Sequence, residues 1–403
     1  MKVSALTICS INYLTKALVL LDSYSKYHLK DDLFIVIVDK KQDNLKLENS
    51  KINLIWVEDL GIEKFYEYAF CYDIIELNTN VKPTVLKYLL TKFDAVIYLD
   101  PDIYVVNSFD AVFEKLKDHS IIVTPHSNTP ILDFNKPDDA DLLRFGAYNL
   151  GFIALSKCEE SFNFLSWWSN RCLKLGYYDP QVGLAVDQKW VDLAPAFYPN
   201  LFILHDVGYN VAFWNLHERY INKKNKKWYI NQDIELKFFH FSSFDANNLN
   251  QIAFKQTRFP VNSRPDFTEI AKEYKFLLDK YQDLNSESQL YGFDYFEDGV
   301  YINPTLRRFY SILKDDLGFF ENPFTVNSSI RSFSKKNGLL KIKKSKLKKL
   351  SFKDLSRYSF QNNIVHVFLK IILRVIGPER YYSLMRYMGH ISSIRNQKSM
   401  FVK

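Results

Sequence analysis

Cysteine is sparse and unpaired in this chain: Cys9, Cys71, Cys158 and Cys172 are far apart, and none has the short spacing of a zinc site or a disulfide framework. They read as reduced thiols of a hydrophobic core, which fits an intracellular setting. No glycine-rich loop follows the first β-rich run, Val3–Cys9. Dinucleotide-binding and P-loop proteins need such glycines to bring backbone amides against a phosphate, so both lose most of their support. Nowhere does the sequence hold an unbroken run of about 20 apolar residues, the length that crosses a bilayer. Met1 to Asn12 has a single Lys2 and an apolar run broken by Ser10 and Asn12, too brief for a secretory signal. The expectation is a cytoplasmic chain.

What is present is enough apolar residue, 47% of 403, for one large α/β domain and an appendage. The net charge of +7 is unevenly placed. Residues 331–403 hold 18 Lys and Arg against only Asp354 and Glu379, or +16, which leaves the remaining 330 residues at −9. A strongly basic tail on a mildly acidic body points to an anionic partner for the tail alone, phospholipid or nucleic acid. No base-reading motif accompanies the lysines, so nucleic acid is not the expected partner.

Val3–Cys9, Phe34–Asp39, Ile52–Val57, Ala95–Leu99 and Ile121–Thr124 are short apolar runs that read as strands. Between the first two, Leu14, Ala17, Leu18, Leu21 and Tyr24 recur on helical spacing within Leu14–Tyr27. A βαβ start implies a mostly parallel sheet, whose ligands collect at the carboxyl ends of the strands. The polar residues there are Ser10, Asn12, Asp39, Asp100 and Asp102. An aromatic-rich block, Phe145–Phe244, reads as a binding half, its Trp167, Trp168, Trp190, Phe213 and Trp214 serving as core or as stacking faces for a ligand's rings. A boundary is expected near residue 300, with residues 301–403 a basic helical extension. In it Lys341, Lys343, Lys344, Lys346, Lys348 and Lys349 alternate with apolar residues, and Ile364–Ile376 is apolar apart from His366, Lys370 and Arg374. Gly377-Pro378 stops one helix and starts another. Too short to span, the apolar segment suits a helix lying in the interface of an anionic membrane, or one packed back on the body.

Asp100-Pro101-Asp102, just past the apolar Ala95–Leu99, places two carboxylates where both can reach one hard cation, which could bridge the phosphates of a nucleotide diphosphate. The same spacing occurs in Asp139-Ala140-Asp141, but in a polar loop after Lys136-Pro137-Asp138, and Asp100 and Asp102 also fit a plain turn.

At this point the chain resembles the metal-dependent, retaining glycosyltransferases of the GT-A fold, in particular glycosyltransferase family eight. Lys82-Pro83 precedes Tyr98-Leu99-Asp100-Pro101-Asp102. Tyr148-Asn149-Leu150-Gly151 follows, then Asp187-Gln188, Tyr209-Asn210 and Phe239-His240-Phe241, in the family's order across residues 3–244. The resemblance implies a GT-A domain over residues 1–300, a Rossmann-like, mostly parallel α/β sheet that moves a sugar from a nucleotide diphosphate donor, UDP-linked in preference, to a glycan or lipid-linked acceptor. It implies Asp100, Asp102 and His240 as ligands of Mn²⁺ or Mg²⁺, with the imidazole favouring manganese. Asp187 and Gln188 become the catalytic or sugar-positioning pair, and Thr7, Asn12, Lys82, Asn149, Gly151 and Asp100 the donor-side residues. The enzyme would then work at the inner face of a plasma membrane, held by its tail, in bacterial surface-glycan synthesis. One departure stands out: the family's Lys-Pro-Trp element after the His-Phe pair is missing from His240-Phe241-Ser242-Ser243-Phe244-Asp245, leaving Lys255 or Arg258 to replace its lysine. An inverting transferase and a noncatalytic scaffold of a glycan assembly complex are the alternatives.

Overall fold

Short β-branched runs alternating with amphipathic helices fold as a layered sheet, because each strand buries both faces under helices. The computed structural model describes residues 1–43, 45, 47, 49–281, 289–340 and 359–402. Its strands are β1 (Val3–Cys9), β2 (Asp32–Ile37), β3 (Ile52–Trp56), β4 (Ala95–Leu99), β5 (Ile103–Val105), β6 (Ile121–Pro125), β7 (Tyr148–Ser156), β8 (Tyr178–Asp179), β9 (Leu184–Ala185), β10 (Leu201–Ile203), β11 (Ile221–Lys224), β12 (Lys227–Ile230), β13 (Ile234–Glu235) and β14 (Phe238–His240). Seven of them form one sheet in the order β10-β6-β7-β4-β1-β2-β3. Only β7 runs antiparallel to its neighbours, β4 and β6, so the mostly parallel α/β sheet expected from the sequence is present. β1 and β4, buried along their whole lengths, lie at its centre and end at the same edge.

Contacts divide the chain into two units, Met1–Phe65 with Ile74–Gly292, and Tyr66–Asp73 with Phe293–Lys403. In the first, helix Leu14–Ser25 packs Leu14, Ala17, Leu18 and Leu21 into one core with β1 and β4. A second core gathers Phe213, Trp214, Phe239 and Phe241 with Phe267, Ile270 and Tyr274 of helix Pro265–Lys280. Trp168, Phe213 and Trp214 are therefore core residues and offer no stacking face. Cys9, Cys71 and Cys172 are buried, but Cys158 is exposed, which corrects its reading as a core residue. It stands at the N-cap of helix Glu159–Leu175, at the surface end of that helix.

The second unit extends beyond the expected tail because Arg307, in helix Pro304–Leu313, gathers the carbonyls of Ala69, Phe70 and Tyr72 at 3.0, 3.2 and 2.8 Å. A guanidinium that is 1% exposed must satisfy its donors, and Asp294 supplies the counter-charge at 3.0 Å. Helices Ser359–Ile376 and Pro378–Ser392 follow, separated by Gly377 at φ 80°, a left-handed value that glycine adopts without steric cost. No residue of Pro378–Ser392 is buried, nor is any from Asn363 to Ile376. The lysine run at 341–349 lies outside the described residues. Among those described, no helix is long and apolar enough to cross a membrane.

Candidate active site

The two carboxylates of Asp100-Pro101-Asp102 stand at the carboxyl edge of the sheet because β4 ends at Leu99, and β5 begins just beyond them. β5 pairs antiparallel with β14, and that ribbon sets His240 opposite Ile103. His240 thereby meets residues far away in sequence: its Nε2 lies 3.0 Å from Asp102 Oδ1 and 3.6 Å from Asp100 Oδ2. Ligand atoms of all three fall within 4.8 Å of one another. Two carboxylate oxygens and an imidazole nitrogen, each able to turn a lone pair toward the same point, fit a divalent cation such as manganese.

Burial would hold His240 below its ordinary value, but the Asp102 carboxylate, with Asp100 behind it, raises it. Asp102 moves the other way: burial pushes it up, and His240 more than offsets this, aided by Lys16. Asp100 accepts a hydrogen bond at 2.6 Å from the Tyr98 hydroxyl, and its backbone N–H donates to the Gly151 carbonyl at 2.8 Å. That last bond fixes the close approach of β7. A Cβ at Gly151 would lie 2.4 Å from His240 Cε1 and 2.7 Å from Asn149 Oδ1, so only glycine fits.

Beside the cluster is a buried ion pair, Lys82 with Asp187 at 2.7 Å, at 2% and 3% side-chain exposure. The Lys82 ammonium also donates to the Leu150 carbonyl at 2.8 Å, sits over the Tyr98 ring at 4.3 Å and reaches to 3.9 Å from Asp100. Burial raises Asp187 above its ordinary value, and Lys82 pulls against that shift. Helix Lys82–Leu90 places the lysine, and Trp168 Nε1 holds the Asp187 carbonyl at 2.9 Å. The structure thus brings together Asp100, Asp102, His240, Lys82, Asp187 and Gly151.

The other expected residues stand differently. Asn149 is in the network described below, its amide occupied by protein. Gln188, first residue of helix Gln188–Val191, donates to the Phe145 carbonyl at 2.9 Å and accepts from Leu150 N at 3.3 Å, so it and Lys82 hold the two backbone groups of Leu150. Asn12 accepts from Ser10 Oγ at 2.6 Å, just past β1. Thr7 is in mid-strand with no exposed surface, and no hydrogen bond joins its hydroxyl to the cluster. Asp139-Ala140-Asp141 begins helix Asp139–Phe145, where Asp138 and Asp141 form a capping box, so this second Asp-x-Asp is a helix start.

Of the two replacements for the missing lysine, Arg258 is committed elsewhere, held by Asp133 at 2.6 and 3.0 Å and by the carbonyls of Asn135 and Pro137. The Lys255 ammonium lies close enough to feel Asp102; its surroundings lower it and Asp102 opposes the shift. Lys16, which the sequence reading passed over, acts on Asp102 as well. Its signal was its place, one helical turn after Asn12 at the start of the helix that follows β1.

No family model matches the chain. Two proteins of Bacillus subtilis (strain 168) are similar to it in sequence. One is the uncharacterized protein YfnF, 26% identical over 253 residues that cover 61% of this chain and 83% of that one. The other is the uncharacterized protein YfnD, 24% identical over 255 residues, 59% of this chain and 76% of that one. Similar solved structures include the galactosyltransferase LgtC in complex with donor and acceptor sugar analogs, at 14% identity and TM-score 0.40, covering 69% of this chain and 95% of that one. The glycosyltransferase GlyE of Streptococcus pneumoniae TIGR4 aligns at 13% identity and TM-score 0.42, over 74% of this chain and 67% of its own. The WbbM bifunctional glycosyltransferase aligns at 13% and 0.39, over 70% and 51%.

Proposed function

We propose that this chain is a GT-A glycosyltransferase that transfers a sugar from a nucleotide diphosphate donor, UDP-linked in preference, with retention at the anomeric carbon. The convergence of Asp100 and Asp102 from the turn between β4 and β5 with His240 from β14 carries the reading, because no demand of the fold requires two carboxylates and an imidazole at one half-open point. A divalent cation held there supplies positive charge to the departing diphosphate. Lys255 and Lys16, both acting on Asp102, add positive charge near the cluster. Asp187 is a carboxylate in a low-dielectric pocket, fixed by Lys82, and it stabilises positive charge that develops at the sugar carbon. Asn12 and Ser10 border the end of β1, where the nucleoside is accommodated. The acceptor is a glycan or a lipid-linked sugar. The basic tail keeps the enzyme peripheral at the cytoplasmic face of the membrane, and its support is the apolar face that helix Ser359–Ile376 leaves exposed.

The test is calorimetric binding and turnover of UDP- and GDP-sugars with manganese, with EDTA, and with Asp102→Asn. Manganese-dependent turnover of one donor, reduced at least about a hundredfold in the variant, is the expected result. A protein that binds no nucleotide sugar in the presence of manganese would end the reading.

A further inference from the structure

Behind His240 lies a buried polar chain with no exposed end. Gly151 N donates to Asn149 Oδ1 at 3.0 Å. Asn210 Nδ2 donates to the same oxygen at 3.0 Å and to Thr124 Oγ1 at 2.9 Å, while Asn210 Oδ1 faces His240 Nδ1 at 3.2 Å. In the other direction Asn149 Nδ2 is 3.2 Å from His126 Nε2. Asn149 is 7% exposed, Asn210 0% and His240 3%, so the network is held within the protein interior.

One backbone donor orients the whole chain. A peptide N–H cannot reverse its role, so the Gly151 amide requires an oxygen from Asn149. The Asn149 amide nitrogen must then face His126, whose Nε2 accepts. The Asn210 amide nitrogen must face the Asn149 oxygen, which leaves only the Asn210 oxygen for His240. An acceptor at Nδ1 requires the proton there. In the neutral ring, His240 Nε2, the atom turned to Asp100 and Asp102, then carries the lone pair that a cation would take.

We infer that Asn210, oriented through Asn149 by the Gly151 amide, is a positioning residue that fixes His240 in the Nδ1–H tautomer and makes Nε2 a metal ligand. Asn210 occupies the left-handed region at φ 52°, which costs a non-glycine residue backbone energy, and its peptide is clamped by Asn215 Nδ2 at its carbonyl, 2.9 Å away. Without Asn210, the Asp102 carboxylate at 3.0 Å would draw the proton to Nε2, and the cation would have to displace it. The inference rests on the metal site proposed above, and its test separates the two.

Long-range ¹H–¹⁵N correlation spectra of the metal-free protein at alkaline pH read the His240 tautomer directly, with His240→Gln giving the assignment. Nδ1–H is expected in the wild type. In Asn210→Gly, which suits the positive φ and so preserves the backbone, the proton moves to Nε2. Manganese affinity, read by paramagnetic resonance, falls about 10–100-fold in the same variant. Asn149→Asp, which keeps the oxygen toward Gly151 but places another toward His126, moves the His126 proton to Nε2 and leaves His240 as it was. A wild-type Nε2–H tautomer, or an Asn210→Gly protein that binds manganese as tightly as the wild type, would overturn the inference. A wild type that binds no manganese would sink the metal reading and with it the ligand role of Nε2, while the tautomer spectrum still decides whether Asn210 fixes the ring.

Discussion

Lys82 and Asp187 form an ion pair with almost no exposed surface, so each is costly to bury without the other. Lys82→Met therefore destabilises the fold by about 3–5 kcal/mol, measured by urea unfolding, because it strands a carboxylate. Lys82→Met with Asp187→Leu recovers most of that stability, as apolar pairs replacing buried ion pairs commonly do, yet transfers no sugar. A double variant that stayed as unstable as the single would mean the pair is not the source of the cost. Gly151→Ala acts on the neighbouring feature: its methyl would occupy the place of His240 Cε1, 2.4 Å away. The backbone there is held by Asp100 N at 2.8 Å, so the imidazole must move. Manganese affinity falls at least about tenfold in calorimetry, with the melting temperature lowered by the overpacking.

At the scale of elements, what the sequence could announce was whatever depends on neighbours in the chain. Val3–Cys9 and Ala95–Leu99 coincide with their predicted strands, and the helix at Leu14 differs from expectation only at its end, because these runs carry their own periodicity. The Asp-x-Asp turn was legible for the same reason. Spacing alone could not separate it from Asp139-Ala140-Asp141; the polar loop with Lys136-Pro137-Asp138 before the second could, and a helix cap is what formed there. The pairing of β5 with β14, by contrast, joins residues more than a hundred positions apart, and no local pattern encodes its register. His240 could be placed only through the order of motifs, and Lys16, His126 and the tie between Arg307 and residues 69–72 were not found at all. Burial of His126 has a measurable consequence. It is pushed from 6.5 down to about 4, chiefly by desolvation. Because the unfolded chain protonates first, stability is complete above the unfolded value near 6.5 and declines as pH falls toward 4. His28, whose Nε2 accepts from Phe109 N at 3.1 Å, is also pushed down to about 4 and adds a loss in the same window. Urea midpoints should fall across that interval, His126 contributing up to about 3 kcal/mol. In His126→Gln the decline is shallower; an unchanged slope would mean the histidine does not stay neutral in the fold.

On the scale of the whole chain, the unevenness of charge meets an unevenness of exposure. In helix Ser359–Ile376, Ile364, Phe368, Ile371 and Val375 are 56%, 61%, 53% and 77% exposed, and their spacing places them in one stripe. His366, Lys370 and Arg374, also one turn apart, lie together on the side of the helix turned away from that stripe, and all three are exposed. A helix with that layout can bury its stripe at the boundary of lipid headgroups and acyl chains while its cations stay among phosphates. Each completely buried side chain of this kind contributes about 1.5–3 kcal/mol, and each lysine or arginine near an anionic leaflet about 1 kcal/mol. Full-length protein is therefore expected to sediment with phosphatidylglycerol-containing vesicles and only weakly with phosphatidylcholine alone, and to be released by salt as the headgroup charge is screened. Phe368→Glu with Ile371→Glu should weaken that binding at least about tenfold while leaving the proposed donor binding unchanged. Light scattering of the wild type guards against the other way of covering such a stripe. A dimer that the same two substitutions dissociate, with vesicle binding unaltered, would assign the exposed face to a second copy of the chain and remove the membrane from the account.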